Sequence, residues 1–413
     1  MQAQALFSRR PAQFPAAPPG TASDPEEASV VTLLHDLLEQ AIALRSSDLH
    51  FEPYEDRYRV RFRIDGVLQE RMAPPLALRE RLAARIKVLA RLDISERRLP
   101  QDGRIKFRLG PERMVDLRVS TLPTLFGEKV VIRVLDAAHV GLNMEELGYP
   151  AHEQALLEQT LARPHGMVLV TGPTGSGKTL SLYACLQRLN QPGVNIASVE
   201  DPCEIPLPGI NQVNVHEKAG LSYASALRAF LRQDPDVLMV GEIRDLETAD
   251  IALKAAQTGH LVLSTLHTND APSAITRLRH MGVAAYHLAA SLSLVSAQRL
   301  VRRLCEQCRE PVQLSPEQML AAGFVPEAVD GSRLAYRPVG CPACTNGYRG
   351  RTGIFQVLPV SDALRALMLA EAPLTALETQ ARSEGLRSLR LAGLDKVLQG
   401  ATSLAEVLTA THG

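Results

Sequence analysis

Two hydrophobic rhythms divide the chain. In Tyr58-Arg59-Val60-Arg61-Phe62-Arg63-Ile64 the apolar residues Val60, Phe62 and Ile64 alternate with arginines, the period-2 pattern of a strand with one face in a core. Asp65-Gly66 follows as a hairpin turn. Gly103 to Leu109, Met114 to Val119 and Lys129 to Leu135 read as three further strands. Two helical stripes accompany them, one through Val31, Leu34, Leu38, Ala41 and Ile42, the other over Leu76 to Leu92. These elements predict a small α+β domain over 28–138, behind a Pro/Ala-rich tail (1–27) that lacks the apolar residues to fold. A connector of helical character covers 139–165.

Beyond Gly166 the rhythm changes. Met167-Val168-Leu169-Val170, Val194 to Val199, Val237 to Val240 and Leu261 to Thr265 are unbroken apolar runs, with helical patterns between them at 222–232 and 247–257. Such runs fit strands buried on both faces, and strands alternating with helices predict a parallel α/β sheet. Residues 354–413 read as helices.

The first of these runs leads into Gly172-Pro173-Thr174-Gly175-Ser176-Gly177-Lys178-Thr179. The spacing is that of a P-loop, and a strand before it and a helix after it, marked by Leu180, Leu182, Tyr183, Leu186 and Leu189, supply the required context. Glycines let backbone N–H groups close on phosphate oxygens, and the helix N-terminus adds partial positive charge. Lys178 is expected at the β- and γ-phosphates of ATP and Thr179 at Mg²⁺. Ligands of such sheets bind beyond the carboxyl ends of the strands, and polar clusters stand there. Glu200 and Asp201 follow one run, and Glu242 follows Val240-Gly241 in a Walker-B-like position suited to orienting water or accepting its proton. His260 and His267 flank the run Leu261 to Thr265, where a histidine at the carboxyl end is suited to a γ-phosphate.

Cys305-x-x-Cys308 and Cys341-x-x-Cys344 form a four-thiolate zinc pattern. A redox role fits less well, because two such pairs occur. With every position taken by sulfur, a zinc there is structural, not catalytic. The α+β domain also carries Arg61, Arg63, Arg104, Arg118 and Arg133 on its strands. They form either a solvated charged face or arginine fingers that reach a neighbouring subunit's triphosphate.

Composition narrows the function. The 413 residues hold 45 Lys+Arg and 45 Asp+Glu, without the basic excess usual in nucleic-acid binders. No apolar run approaches the roughly 20 residues that span a bilayer, and Met1 to Gly20 lacks the apolar core of a signal peptide. The expectation is a cytoplasmic protein.

The sequence resembles the secretion ATPases of the type II secretion and type IV pilus assembly branch (GspE/PulE and PilB). The resemblance rests on Ser47-Asp48-Leu49-His50-Phe51-Glu52-Pro53, Pro100-Gln101-Asp102-Gly103-Arg104, Asp116-Leu117-Arg118-Val119-Ser120-Thr121, the P-loop, the acidic box Glu200–Glu204, Gly241-Glu242-Ile243-Arg244-Asp245, the box Gly259–Asp270 and the four cysteines. It implies a RecA-like P-loop ATPase domain over 166–413, with a zinc-binding subdomain at 300–350. It also implies a hexameric ring whose ATP site lies between the two domains, with Arg104, Arg118 and Arg133 turned to the nucleotide. Glu200, Glu242, His260 and His267 fall on the family's acidic, Walker B and histidine boxes. The implied activity is ATP hydrolysis that drives pseudopilus or pilus assembly, at the cytoplasmic face of the inner membrane and docked on membrane platform and docking proteins. The four cysteines favour an assembly motor over a retraction motor. A nucleic-acid translocase on the same core is the competing reading; DNA-stimulated hydrolysis would favour it.

Overall fold

The computed structural model describes residues 25–110, 113–135, 143–325 and 334–412. Most of the expected tail, and the start of the connector, lie outside them. The chain divides into two compact units, Met1–Val134 and Leu135–Gly413.

In the first unit α1 (Pro25–Ala43), β1 (Asp48–Pro53), β2 (Tyr58–Ile64), β3 (Val67–Met72), α2 (Arg79–Ala90), β4 (Gln101–Leu109), β5 (Arg113–Thr124) and β6 (Gly127–Leu135) follow in order. The strands form one sheet in the order β3-β2-β1-β6-β5-β4. β2 alternates buried and half-buried residues along its whole length, so one face packs on a core that includes Leu49, Phe51, Phe62, Leu117 and Ile132. Asp65 and Gly66 both have positive φ (50° and 86°), as the tight β2–β3 turn requires. In α1 the buried stripe is Val30, Leu34, Leu37, Leu38, Ala41 and Ile42, while Val31 faces outward. The helix expected over Leu76 to Leu92 splits into a 3₁₀ turn (Leu76–Leu78) and α2. It ends where Arg91 turns left-handed at φ 57°.

The second unit runs α3 (Met144–Leu147), α4 (Ala151–Leu161), β7 (Gly166–Thr171), α5 (Lys178–Leu189), β8 (Ile196–Glu200), β9 (Asn211–Asn214), α6 (Tyr223–Phe230), β10 (Val237–Val240), α7 (Leu246–Gln257) and β11 (Leu261–Leu266). There follow α8 (Ala271–His280), α9 (Ala285–Ser291), β12 (Leu292–Leu304), β13 (Glu310–Gln313), α10 (Pro316–Ala322), β14 (Leu334–Arg337), β15 (Tyr348–Pro359), α11 (Asp362–Leu369), α12 (Leu374–Ser383), α13 (Leu389–Leu398) and α14 (Leu404–Ala410). Its main sheet has the order β15-β12-β7-β11-β10-β8-β9. Every neighbouring pair is parallel except β12–β15. Along β7, Met167 and Leu169 join one core and Val168 and Val170 another. Both faces of the sheet are therefore covered, which is why these strands read as continuous apolar runs.

The structure corrects the C-terminal reading. Residues 354–359 are not helical but complete β15, whose register against β12 runs from Leu294↔Pro359 to Leu304↔Tyr348. β12 carries no strand signature in the sequence, because Ser293, Ser296, Gln298 and Arg299 interrupt its apolar pattern. Gln356 on β15 is buried, and its side-chain oxygen accepts from the Ala271 N–H at 2.8 Å, satisfying one of the free donors that open α8.

Candidate active site

β7, β8, β10 and β11 run in parallel, so their carboxyl ends form one edge. Thr171 pairs with Leu266, Val240 with Ser264 and Val199 with Val240. The P-loop, Glu200, Glu242 and His267 each leave the sheet along it.

The loop after β7 is a cradle that only glycine could build. Gly172, Gly175 and Gly177 have φ of 149°, 79° and 91°, and at the last two the left-handed backbone favours glycine. A Cβ on Gly172 would meet the Gln298 carbonyl at 2.5 Å, and one on Gly177 would meet Gln298 Nε2 at 3.2 Å. Ser176 Oγ is buried in the loop and has no hydrogen-bond partner among the described residues. Lys178 opens α5, and its Nζ donates to the carbonyls of Gly172 (2.9 Å) and Pro173 (3.1 Å). Burial lowers the Lys178 pKa, Glu242 works against the shift and Arg299 adds to it. Backbone donors at a helix start, a half-buried ammonium and an unused hydroxyl fit a polyphosphate.

The neighbouring loops are stitched to this one. Thr171 Oγ1 accepts from the Thr268 N–H (2.9 Å), and Thr265 Oγ1 donates to the Gly241 carbonyl (2.7 Å). At the tip of β10 Glu242 touches Arg244 and lies 3.3 Å from His267 Nε2. Arg244 also reaches Asp201 at 3.3 Å, over the Tyr223 ring. Burial opposes the Arg244 charge, and its contact with Glu242 more than restores it, so its pKa is raised. Asp201, Arg244, Glu242 and His267 therefore form one polar chain beside the P-loop edge.

Glu200 takes a different position. It is only 3% exposed, and its carboxylate accepts from Tyr183 Oη (2.5 Å), Ser198 Oγ (2.8 Å) and Gln212 Nε2 (3.2 Å). These bonds tie the P-loop helix to β8. His260 lies elsewhere: it precedes β11, its carbonyl accepts from Gly166 N at 3.2 Å and its Nδ1 faces the Ala255 carbonyl at 3.0 Å. β11 runs six residues from there to its carboxyl end, so about 20 Å of strand separates the two histidines.

In the first unit, Arg104 and Arg118 stand opposite each other on β4 and β5. Arg133 Nε lies 3.2 Å from Asp48 Oδ1. Arg61 and Arg63 are more occupied than their outward register suggests. Arg61 makes a two-pronged contact with Glu52 (2.8 Å on each oxygen), and Arg63 lies 3.6 Å from Asp48.

The cysteines converge. Cys305 follows β12 directly and Cys341–Cys344 precedes β15. Sulfur separations are 3.8 Å for Cys305–Cys341 and 3.7 Å for both Cys308–Cys344 and Cys341–Cys344. A tetrahedron with Zn–S bonds of about 2.3 Å has edges of about 3.8 Å, so the four thiols fit a zinc ion in size as well as chemistry.

These features can be set beside known proteins. The model of the family described as "Type II/IV secretion system protein" matches residues 23–409. The chain belongs to that family. Among curated relatives of this secretion-family chain, the type IV pilus assembly ATPase PilB of Pseudomonas aeruginosa is 54% identical over 385 residues, covering 93% of this chain and 68% of that protein. PilB of Acinetobacter baylyi is 52% identical over 92% of this chain and 66% of its own length. The type II secretion system ATPase E of Vibrio cholerae is 49% identical over 94% of this chain and 76% of that protein. The chain thus spans about two thirds of the length of the PilB relatives. Among solved structures, the Legionella pneumophila ATPase DotB superposes with a TM-score of 0.68 at 19% identity, covering 92% of this chain and 95% of that one. The pilus retraction motor PilT with bound ADP gives 0.61 at 24%, covering 92% and 97%. At such identities the likeness is one of fold, and the fold is RecA-like.

Sequence reasoning missed several residues of the site. Tyr183 lies in the helical stripe after the P-loop and Arg244 in the Gly241–Asp245 motif, but no local pattern marks them as partners of Glu200 and Glu242. Gln298 and Arg299 were not singled out. Their signal was a polar pair, with Ser296, inside the apolar stretch Leu292 to Leu304.

Proposed function

We propose that the chain is an ATP hydrolase that works as a homohexameric motor, powering pseudopilus assembly for type II secretion or extension of a type IV pilus. The observation that carries this reading is the convergence of the P-loop with Glu242 and His267 on one sheet edge, in a chain about half identical to ATPases named for those two machines. The chain is about equally similar to both branches, and no described helix is long and apolar enough to cross a membrane. In this reading the motor engages platform and docking proteins at the cytoplasmic face of the inner membrane.

The backbone donors of residues 172–179 and the Lys178 ammonium hold the phosphates. Lys178 leaves the Gly172 and Pro173 carbonyls to do so. The Thr179 hydroxyl would hold Mg²⁺, which neutralises phosphate charge when bound. Glu242 orients the attacking water and accepts its proton, with Arg244 and His267 fixing its carboxylate. Glu200, locked by three hydrogen bonds, sets the spacing of β8 and the P-loop helix. Arg104, Arg118 and Arg133 are the charges a neighbouring subunit offers to the triphosphate. Cys305, Cys308, Cys341 and Cys344 would hold zinc as a cross-link.

Glu242→Gln keeps the shape and removes the base. Turnover should fall at least about a hundredfold with nucleotide affinity retained, measured as phosphate release beside equilibrium binding. Undiminished turnover would remove Glu242 from this role.

A further inference from the structure

Gln298 lies on β12, one residue beyond the Ala297↔Thr171 pairing that sets β12 beside the end of β7. It is 2% exposed, a buried primary amide on the edge where the phosphate loop begins. Both ends of the amide are engaged. Its Nε2 donates to the Ser176 carbonyl at 2.8 Å, and its Oε1 accepts from Ser181 Oγ, on the first turn of α5, at 2.8 Å. One side chain therefore grips the loop and the helix that follows it.

The grip has a directional consequence. A trans peptide unit is planar, with its C=O and N–H pointing in opposite directions. Drawing the Ser176 carbonyl toward β12 turns the Gly177 N–H the other way. Gly177 sits at φ 91° and has no Cβ, so it can follow. The space behind it is filled by Gln298 itself. We propose that Gln298 is a positioning residue for ATP hydrolysis: by holding the Ser176 carbonyl it aims the Gly177 amide at the bound phosphates. This inference rests on the functional reading above, since it presumes that the loop binds nucleotide phosphate.

The test is Gln298→Met, similar in volume and lacking both hydrogen bonds. Affinity is measured for Mg-ADP and for AMP, with the unfolding midpoint as a check on folding. A positioning role predicts that ADP affinity falls by about tenfold, the size of one well-placed hydrogen bond to a charged group, and that AMP affinity changes far less. The ADP/AMP preference then collapses. A purely structural role lowers both in parallel and leaves the preference intact, which overturns the proposal, as does ADP affinity within twofold of the parent. Should Gln298→Met not fold, Ser181→Ala takes its place. It frees one end of the amide and should reduce the same preference about threefold, and an unchanged preference there counts against the proposal equally. If the parent chain binds ADP no better than AMP, the phosphate-loop reading itself fails and takes this inference with it. If the parent discriminates and both variants do too, only the inference fails.

Discussion

At the scale of single residues, the chain fixes its charges by pairing them. Glu52 is 5% exposed and lies within 2.9 Å of Arg59, 2.8 Å of Arg61 and 3.2 Å of Lys129. Burial alone would raise its pKa, but hydrogen bonds from Arg61, Arg59 and Lys129 win and hold it at about 2, against an ordinary 4.5. A carboxylate depressed by folding stabilises the native state above its unfolded pKa. That contribution drains away as pH falls from 4.5 toward about 2. Urea unfolding of the parent should therefore lose about 2–3 kcal/mol over that window, and Glu52→Gln should show a flatter curve there. An equally steep curve in the variant would mean that other acids carry the acid sensitivity. Gln356 shows the same economy without charge, its neutral amide closing α8 against Ala271.

Among elements, legibility followed burial. β7, β10 and β11 are buried at every position, and so announce themselves as apolar runs; β2, with one face in a core, announces itself by alternation. β12 is buried from Leu292 to Gln298 as well, but it spends Ser296 and Gln298 on bonds to Tyr149 and the P-loop, so its apolar pattern is broken. The 354–359 segment lacks alternation because β15 packs on both sides, and a short apolar run cannot be told from helix by period. The P-loop and the four cysteines were visible because their spacing is local. The Gln298 clasp joins residues 122 positions apart, and Tyr183 meets Glu200 across α5 and β8, pairings that no local pattern reveals. The cysteine element makes its own prediction. Cys341→Ser should remove zinc, expected at one per chain by metal analysis, and lower the unfolding midpoint by several degrees, because the segment between the two cysteine pairs supplies Leu314, Met319 and Ala335 to a small core of its own. Nucleotide binding should persist, since the P-loop leans on the other half of β12. A parent chain that carries no zinc would exclude the metal reading.

At the scale of the whole molecule, the three arginines and the P-loop fall in different compact units of one chain, which allows a test by mixing. Arg118→Ala should cut hydrolysis about a thousandfold if its guanidinium stabilises the transferring phosphoryl group, and Lys178→Ala should abolish nucleotide binding. Mixed together, the two dead proteins should regain measurable hydrolysis if an intact arginine from one copy serves an intact P-loop in another. A mixture as inactive as its parts would confine each site to its own chain.

The opposed placement of the two histidines bears on any such assembly. With His260 and His267 at opposite ends of β11, no single triphosphate can touch both imidazoles of one copy. If both prove indispensable for turnover, they cannot serve one phosphate: His267 stands at the nucleotide edge, and His260 acts at the far tip, through the Ala255 carbonyl it faces or through something presented from across a boundary. β11 would then be a rigid rod with a listener at each tip.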